Sequence, residues 1–470
     1  MTRSEFFIFM ILQSSKFGIL RYVSVCSLDS FTDRYVLNSS SFYYNHGINH
    51  DCDYNKTDRC ESTYRANMLV MSCKHTYLFL HSYLMDCVGY VFQKVLLFDH
   101  LTCADFVSIS LGDHHTMLLK QDGSVWVTAL TIRGIMVPKG ATNNFFFEVI
   151  ASGAATIAAG TAFSLVLKYD GSIWASGRNS RGQLGDGTRA AKDKFSLVQI
   201  IPSAKDIAAG GHHALVVTQE GYLWASGCNK YGQLGGTSTT YSIRFHQTIS
   251  GGVKDVAGGE AHTVILMEDT SVYAVGRNNN GQLGDGSYVD RNKMVKVIMS
   301  DAERVAAGSH HSMVLKNDGT VWATGCNQLG QLGDGTGVDK TTYSRVISEA
   351  TAIAAGRRHS MVLKQDGSLW SSGYNANGQL GHVWANDNLF FVEVLPKGVN
   401  LVAAGYFHSM VIKKDGTVWA TGSNKYGQFG DGTTSSHKQF VKLEPFAAGS
   451  LDEDTLDKKC VWSITTHPLC

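Results

Sequence analysis

The sequence contains little proline and has almost no net charge. Only 5 of its 470 residues are Pro, and 41 Lys and Arg residues are balanced by 40 Asp and Glu residues, which gives a formal net charge of +1. Nucleic-acid binding through phosphate neutralisation needs clustered basic residues. No apolar run reaches the roughly 18 residues of a membrane-spanning helix. We therefore expect neither direct nucleic-acid binding nor a membrane span.

Glycine is scarce near the N-terminus and abundant in the rest of the chain. Only Gly18, Gly47 and Gly89 of the 49 glycines precede residue 104. Residues 1–89 also lack Pro and show no sustained hydrophobic period. We therefore predict three parts: a poorly ordered N-terminal extension at 1–89, a folded region at 90–449, and a C-terminal tail at 450–470.

Cysteine is concentrated at the N-terminal end, where six of the ten Cys residues lie between residues 26 and 103. In a secreted chain these could form a disulfide framework, and Asn38 and Asn55 would be glycosylation acceptors. The best signal-peptide candidate is the apolar segment 6–12 behind Arg3. Glu5 and the lack of a clear cleavage site argue against it. We expect a cytoplasmic protein, with nuclear and secreted locations as alternatives.

One sequence unit recurs seven times. Its best copy, residues 306–336, reads AAGSHHSMVLKNDGTVWATGCNQLGQLGDGT. An aromatic residue marks the same position in every copy, at a spacing of 48 to 50 residues. These residues are Trp126, Trp174, Trp224, Tyr273, Trp322, Trp370 and Trp419. A fixed period of this length indicates a repeat architecture.

Each unit has the pattern of short β-strands. Residues 311–316 and 320–324 are rich in apolar, β-branched and aromatic residues, and Asn317-Asp318-Gly319 between them is typical of a hairpin turn. A further strand precedes each small-small-Gly step, which gives about four strands per unit. No unit contains a long stretch with helical spacing. Seven such units predict an all-β, seven-bladed β-propeller.

The pattern AAGxxHSMVLKxDGTVWATGxNxxGQLGDGT resembles the repeat of the regulator of chromosome condensation family over residues 90–449. The resemblance implies a seven-bladed propeller. The founding member is a guanine-nucleotide exchange factor for a small Ras-like GTPase, and it uses a wedge projecting from one blade and a basic tail. The even spacing here leaves no extra length for a wedge, and neither terminal segment resembles the tail. No functional residue is therefore transferred from the family.

Both ends of the repeat region carry a strand-like segment. Residues 92–95 resemble the strand before each small-small-Gly step, and residues 440–443 duplicate the same element. An unclosed ring would expose a sheet edge. We therefore predict that the two terminal segments meet in the first or the last blade.

Histidine recurs at one position in six of the seven units. These residues are His115, His213, His262, His311, His359 and His408. Six imidazoles around an axis could suggest a metal site, but each belongs to a different blade, and Phe163 occupies the position in the second unit. The pattern favours a structural role, in which each imidazole is buried and hydrogen-bonded to the backbone.

The recurring acidic residues are typical of turns. The Gly-Asp-Gly-Thr runs lack the alternating ligands of a calcium loop and the Lys of a phosphate-binding loop. One carboxyl group per blade does not arrange the close pair that acid–base catalysis needs. Cys228 and Cys326 occupy the same position two blades apart and should be free thiols. We therefore predict a protein that is not an enzyme and has no cofactor or metal site.

Residues that interrupt the repeat are the candidates for partner binding, because the recurring ones are needed for folding. Exposed Trp, Tyr and Arg side chains are typical interface anchors. The selected residues are His382, Trp384, Arg357, Arg358, Arg181, Tyr231 and Tyr406. Two further candidates are Phe407 and the loop at 133–139. Sequence drift in unconstrained loops is the alternative explanation for each of these residues.

Two functions from different classes fit the sequence. The first is a monomeric scaffold that binds a protein partner through the loops of its blades, which rests on the fold class. The second is exchange on a small GTPase, in which the protein would bind the nucleotide-free GTPase better than the loaded form. A secreted propeller that binds an extracellular protein is a third reading, and it requires a real signal peptide.

Overall fold

The computed structural model describes residues 106–129, 144–236, 240–384 and 386–443, together with the backbone of three strands near the N-terminus. Those strands are β1 (Phe6–Ser15), β2 (Gly18–Ser27) and β3 (Val36–Leu37), and they form an antiparallel sheet in that order. They belong to the first of two compact units, Met1–Asp99 and His100–Cys470. The predictions for the rest of residues 1–89, for the loop at 133–139 and for the tail at 450–470 lie outside the described residues.

The described part of the second unit is built from seven antiparallel sheets of four strands each. Every sheet uses four strands that are consecutive in sequence. Blades 1 to 3 comprise β4 (Phe106–Leu111), β5 (His115–Lys120), β6 (Val125–Ala129), β7 (Phe147–Ile150); β8 (Ala154–Ala159), β9 (Phe163–Lys168), β10 (Ser172–Gly177), β11 (Lys192–Ile200); β12 (Ala204–Ala209), β13 (His213–Thr218), β14 (Tyr222–Cys228) and β15 (Tyr241–Ser250). Blades 4 to 7 comprise β16 (Val253–Gly258), β17 (His262–Met267), β18 (Val272–Gly276), β19 (Arg291–Ile298); β20 (Ala302–Ala307), β21 (His311–Lys316), β22 (Val321–Gly325), β23 (Lys340–Ile347); β24 (Ala350–Ala355), β25 (His359–Lys364), β26 (Leu369–Gly373), β27 (Asn388–Leu395); β28 (Val399–Ala404), β29 (His408–Lys413), β30 (Val418–Gly422) and β31 (His437–Lys442).

The seven sheets form a ring, which confirms the predicted seven-bladed β-propeller. The first strand of each blade contacts the first strands of the two neighbouring blades, and β28 of the last blade contacts β4 of the first. The first strands therefore line the axis. The described residues include no helix able to cross a membrane.

The second and third strands of each blade form the predicted hairpin. In blade 5 the turn residue Gly319 has a φ of +77°, which an L side chain rarely adopts, and Asp318 Oδ1 accepts a hydrogen bond from the Thr320 backbone N–H. The strand β21 is buried over five consecutive residues instead of alternating. Both faces of this strand are covered because a neighbouring blade packs on each side.

The prediction that the two terminal segments share a blade is tested at one end only, because residues 92–95 lie outside the described residues. Residues 440–442 lie in β31, which among the described strands pairs with β30 as the fourth strand of blade 7. Hydrogen bonds from the Tyr406 N–H to the Gly112 carbonyl and from the Gly432 N–H to the Asn144 carbonyl join the last blade to the first. In the described structure, the blades at the seam are therefore complete sheets placed side by side.

Candidate functional site

The six recurring histidines connect neighbouring blades. Each imidazole is buried, and its Nε2 lies 2.7–3.2 Å from a Ser or Thr hydroxyl of the next blade. The pairs are His115–Ser164, His213–Thr263, His262–Ser312, His311–Ser360, His359–Ser409 and His408–Thr116. The structural role agrees with the prediction. The predicted backbone partner is wrong, because each imidazole contacts a side-chain hydroxyl across the boundary between two blades.

A second hydrogen bond sets the direction of this network. In blade 5, the Ser312 hydroxyl donates to the backbone carbonyl of Gln282 in the preceding blade, so it accepts a hydrogen bond from His262 Nε2. Four of the other hydroxyls donate to the equivalent Gln carbonyl in the same way. Burial lowers the pKa of His262 to about 3. The imidazole is therefore neutral and protonated on Nε2.

Between blades 2 and 3, both the histidine and its hydroxyl partner are replaced by apolar residues. Phe163 replaces the histidine of blade 2, and Ala214 in blade 3 stands where its hydroxyl partner would be. Both side chains are fully buried in one apolar cluster. A missing imidazole donor is thus matched by a missing hydroxyl, and no polar group is left unpaired by the exchange.

In the six blades that carry the recurring histidine, the glycine that directly follows the first strand makes room for the imidazole of its own blade. A Cβ on Gly308 would lie 2.2 Å from His311 Cε1 and 2.5 Å from the backbone oxygen of Gly356 in the next blade. Close approach of the backbone to the ring and to the adjacent blade therefore excludes any side chain at this position.

The connection between the third and fourth strands is held by its own polar residues, as predicted. In blade 5, Asn327 Oδ1 accepts from the Leu332 N–H at 2.9 Å, while Nδ2 donates to Asp334 and to the Thr336 carbonyl, both at 2.8 Å. Asp334 Oδ1 accepts from the Thr336 N–H. The acidic residue therefore stabilises a turn, and Cys228 and Cys326 are free thiols.

One face of the disc collects the residues that vary between blades. In each antiparallel blade, the connection from the first to the second strand and that from the third to the fourth lie at the same end. We call this end of the disc the upper face. Main-chain hydrogen bonds join the two connections within a blade, as between the Tyr374 N–H and the Arg358 carbonyl at 2.9 Å.

A cavity of about 230 Å³ lies on the axis at the upper face. Its lining includes the residue that directly follows the small-small-Gly step in every blade. These residues are Asp113, Thr161, Gly211, Glu260, Ser309, Arg357 and Tyr406. We call this ring the axial mouth. Because no residue type recurs in it, the axial mouth differs in chemistry from one side to the other.

Arg357 is the central cation of the axial mouth. Its guanidinium carbon lies 3.5 Å from the centroid of the Tyr406 ring and 5.7 Å from that of Phe407. Its Nε is buried and has no hydrogen-bond partner among the described residues. Burial raises the pKa of Asp113 to about 8, against the lowering effect of Arg357. This carboxyl group is therefore mostly uncharged at neutral pH and does not neutralise Arg357.

Further charged groups gather on the blade 4 and blade 5 side. His310 Nε2 lies 3.4 Å from Glu260 Oε2. Burial lowers the pKa of His310; Glu260 opposes this effect, whereas Arg277, Arg357 and Arg358 add to it. Three guanidinium groups and one carboxylate therefore act on the same imidazole.

The structure places three of the seven predicted binding residues at or beside the axial mouth: Arg357, Arg358 and Tyr406. Two more lie in the connections between the third and fourth strands of blades 2 and 3. Tyr231 lies 5.2 Å from the Arg277 guanidinium. Arg181 lies close enough to His212 to lower its pKa, after burial and Arg178.

The other two predicted residues lie elsewhere on the upper face. His382 and Trp384 belong to the connection between β26 and β27 of blade 6, where their ring centroids are 5.2 Å apart. Trp384 is 60% exposed, whereas His382 is buried and its Nε2 contacts the Asn388 amide at 2.6 Å. His382 therefore supports the connection instead of presenting a binding group.

Sequence reasoning missed three charged residues of the site: Asp113, Glu260 and Arg277. The signal was present in the repeat. Asp113 and Glu260 occupy the position of Arg357 in their own units, and Arg277 directly follows the last Gly of the third strand. A comparison of all seven units at these two positions would have found them.

Comparison with known proteins gives the same fold. Human WBSCR16 matches with 21% identity and a TM-score of 0.58, over 64% of this chain and 85% of its own. Prp20p of Saccharomyces cerevisiae matches with 22% identity and a TM-score of 0.57, over 64% and 80%. Yeast RCC1 (Prp20) in its complex with Kap60 matches with 22% identity and a TM-score of 0.55, over 61% and 74%. No curated protein sequence matches the chain.

The chain is therefore a repeat propeller in which each blade binds the next through buried side chains. The family model described as the RCC1-like domain matches residues 93–350, more than half of the chain, and the regulator of chromosome condensation (RCC1) repeat matches residues 350–379 and 399–428. The protein belongs to the RCC1-like family, in agreement with the resemblance found in its repeats.

Proposed function

We propose that this protein is an interaction scaffold that binds a protein partner through the upper face. One observation carries the proposal: the residues that break the repeat lie on the upper face, some of them at the axial mouth, whereas the recurring histidines, glycines and asparagines are used in packing and hydrogen bonding. A rigid disc with a varied face on one side suits recognition, because its loops are positioned by the scaffold.

Structural relatives are consistent with a protein partner. Yeast RCC1 (Prp20) was crystallised bound to Kap60, and Prp20p was studied for its binding to Gsp1p and histones. At this level of identity the likeness supports the fold, so the partner of this chain has to be found by experiment.

Partner capture by the full chain tests the proposal. Arg358→Ala and Trp384→Ala change exposed side chains of the upper face, and Lys414→Ala changes an exposed cation in the opposite hairpin turn. We expect the first two variants to reduce the amount of cross-linked partner, measured by quantitative mass spectrometry, and Lys414→Ala to leave it unchanged. Equal capture by all variants with unchanged thermal melting would contradict a binding role for this face.

Guanine-nucleotide exchange on a small GTPase is the alternative within the same family. An exchange factor acts by binding the nucleotide-free state more tightly than the loaded state. We would test it by release of a fluorescent guanine nucleotide from a panel of small GTPases. Acceleration that is lost in Arg358→Ala would favour exchange, and no acceleration with any GTPase would leave the scaffold function.

A further inference from the structure

We propose that the axial mouth binds an acidic segment of the protein partner, with the half-buried Arg357 as the anchor and Arg358 and Arg277 beside it. This inference rests on the proposed function and names the chemistry of the partner. Its basis is an excess of guanidinium groups at a cavity whose lining varies from blade to blade.

The charge around the cavity is unbalanced. Arg277, Arg357 and Arg358 all act on His310, and Glu260 is the carboxylate that opposes them there. The carboxyl group of Asp113 is mostly uncharged at neutral pH because it is buried. The site therefore attracts negative charge, although the whole chain is nearly neutral.

Arg357 is positioned to bind a carboxylate. Stacking on Tyr406 at 3.5 Å holds the guanidinium plane, and a stacked guanidinium can still donate hydrogen bonds from its edge. The buried Nε has no partner among the described residues. A buried donor without a partner is costly, and a carboxylate oxygen would remove that cost.

The shape favours a peptide over a nucleic acid. The cavity of about 230 Å³ holds a few side chains, whereas a phosphate backbone needs a basic track along several nucleotides. The carboxyl oxygens of Glu260 and Asp113 in the axial mouth can also accept hydrogen bonds from peptide N–H groups. A sugar–phosphate backbone has no N–H groups to donate.

Fluorescence polarisation with the full chain tests this inference. The probe is a capped, labelled peptide of about ten alternating Glu and Asp residues, and the matched control is the Gln and Asn peptide. We expect the acidic peptide to bind and the amide peptide to bind at least about tenfold more weakly. Arg357→Ala and Arg358→Glu should each weaken binding about tenfold or more, and Lys414→Glu on the opposite face should not.

Tyr406 separates stacking from general stability. Tyr406→Phe keeps the ring under the guanidinium and should retain binding, whereas Tyr406→Ala removes it and should weaken binding. If Arg357→Ala does not fold, the exposed Arg358 variant still decides the outcome.

Three results would overturn the inference. They are absence of binding to the acidic peptide, an equal loss in Lys414→Glu, or tighter binding of a thymidine oligonucleotide of the same length that is lost in the Arg357 and Arg358 variants. Loss of partner capture in Arg358→Glu without peptide binding would refute the acidic partner and leave the scaffold function intact. Peptide binding without any captured partner would refute the scaffold function and leave the affinity of the axial mouth for acidic peptides intact.

Discussion

Mild acid should destabilise the propeller because its six recurring histidines are buried and neutral. Burial lowers the pKa of His115 to about 4 and those of the other five to about 3, from an ordinary value of 6.5. The unfolded chain therefore takes up protons that the folded chain does not. The contribution of the histidines to stability is fully present above pH 6.5 and falls as the pH drops from there toward the folded pKa values.

The size of the effect follows from the number of protons. Between about pH 7.5 and 5.5, each histidine lowers the free energy of unfolding by about 1.4 kcal/mol, and six lower it by about 8 kcal/mol. Three carboxyl groups act in the opposite direction, since burial raises the pKa of Asp113 to about 8, that of Asp255 to about 6, and that of Asp206. Burial also lowers the pKa values of His212, His310 and His382, which act in the same direction as the six recurring histidines. Asp113 and Asp255 return about 3 kcal/mol, and the remaining loss of about 5 kcal/mol from the six histidines is comparable to the whole stability of many domains.

Urea unfolding followed by tryptophan fluorescence at several pH values measures this loss. The double variant His262→Phe with Ser312→Ala is the matched control, because it copies the natural pair Phe163 and Ala214. It has one titrating imidazole fewer and should lose about 1.4 kcal/mol less over the same interval. A free energy of unfolding that is equal or higher at pH 5.5, or a control that loses as much as the parent chain, would refute the reasoning.

Three further predictions concern packing and hydrogen bonds. Gly308→Ala should lower the free energy of unfolding by about 3 kcal/mol, because its Cβ would lie 2.2 Å from an imidazole carbon, whereas Gly337→Ala, with 3.9 Å to the nearest atom, should leave thermal melting unchanged. Asn327→Ala should cost about 2–4 kcal/mol in urea unfolding, since it removes the side-chain hydrogen bonds to Leu332, Asp334 and Thr336. Ser312→Ala alone should cost about 1–3 kcal/mol, and adding His262→Phe should recover most of this in a double-mutant cycle. Equal losses in the two glycine variants, unchanged stability in Asn327→Ala, or additive effects in the cycle would contradict these expectations.

The repeat made the fold predictable because its information is local. The hairpin turn at Asp318-Gly319 and the connection held by Asn327 depend on hydrogen bonds within a few residues, so one unit suffices to infer them. The number of blades then follows from counting. The closure of the ring does not follow from one unit in the same way, because strand-like residues at 440–443 indicate a strand but not which sheet it joins.

Contacts between blades were harder to predict. The hydroxyl partner of His262 lies 50 residues further along the chain, beyond the range of any local pattern. The joint change to Phe163 and Ala214 was the available signal, and it becomes visible only when adjacent units are compared. The axial mouth depends on the same kind of comparison, since Arg357 and Glu260 come together only when the ring closes.

The seam between the last and first blades has a mechanical consequence. Within the described structure no strand is exchanged across it, and the joint consists of side-by-side contacts such as that of Thr116 with His408 and with the Gln428 carbonyl. Tension applied to the first and last blades would therefore act on this joint first and open the ring there. The blades on either side of the seam would then unfold one at a time, so a force-extension trace should show a series of nearly equal steps.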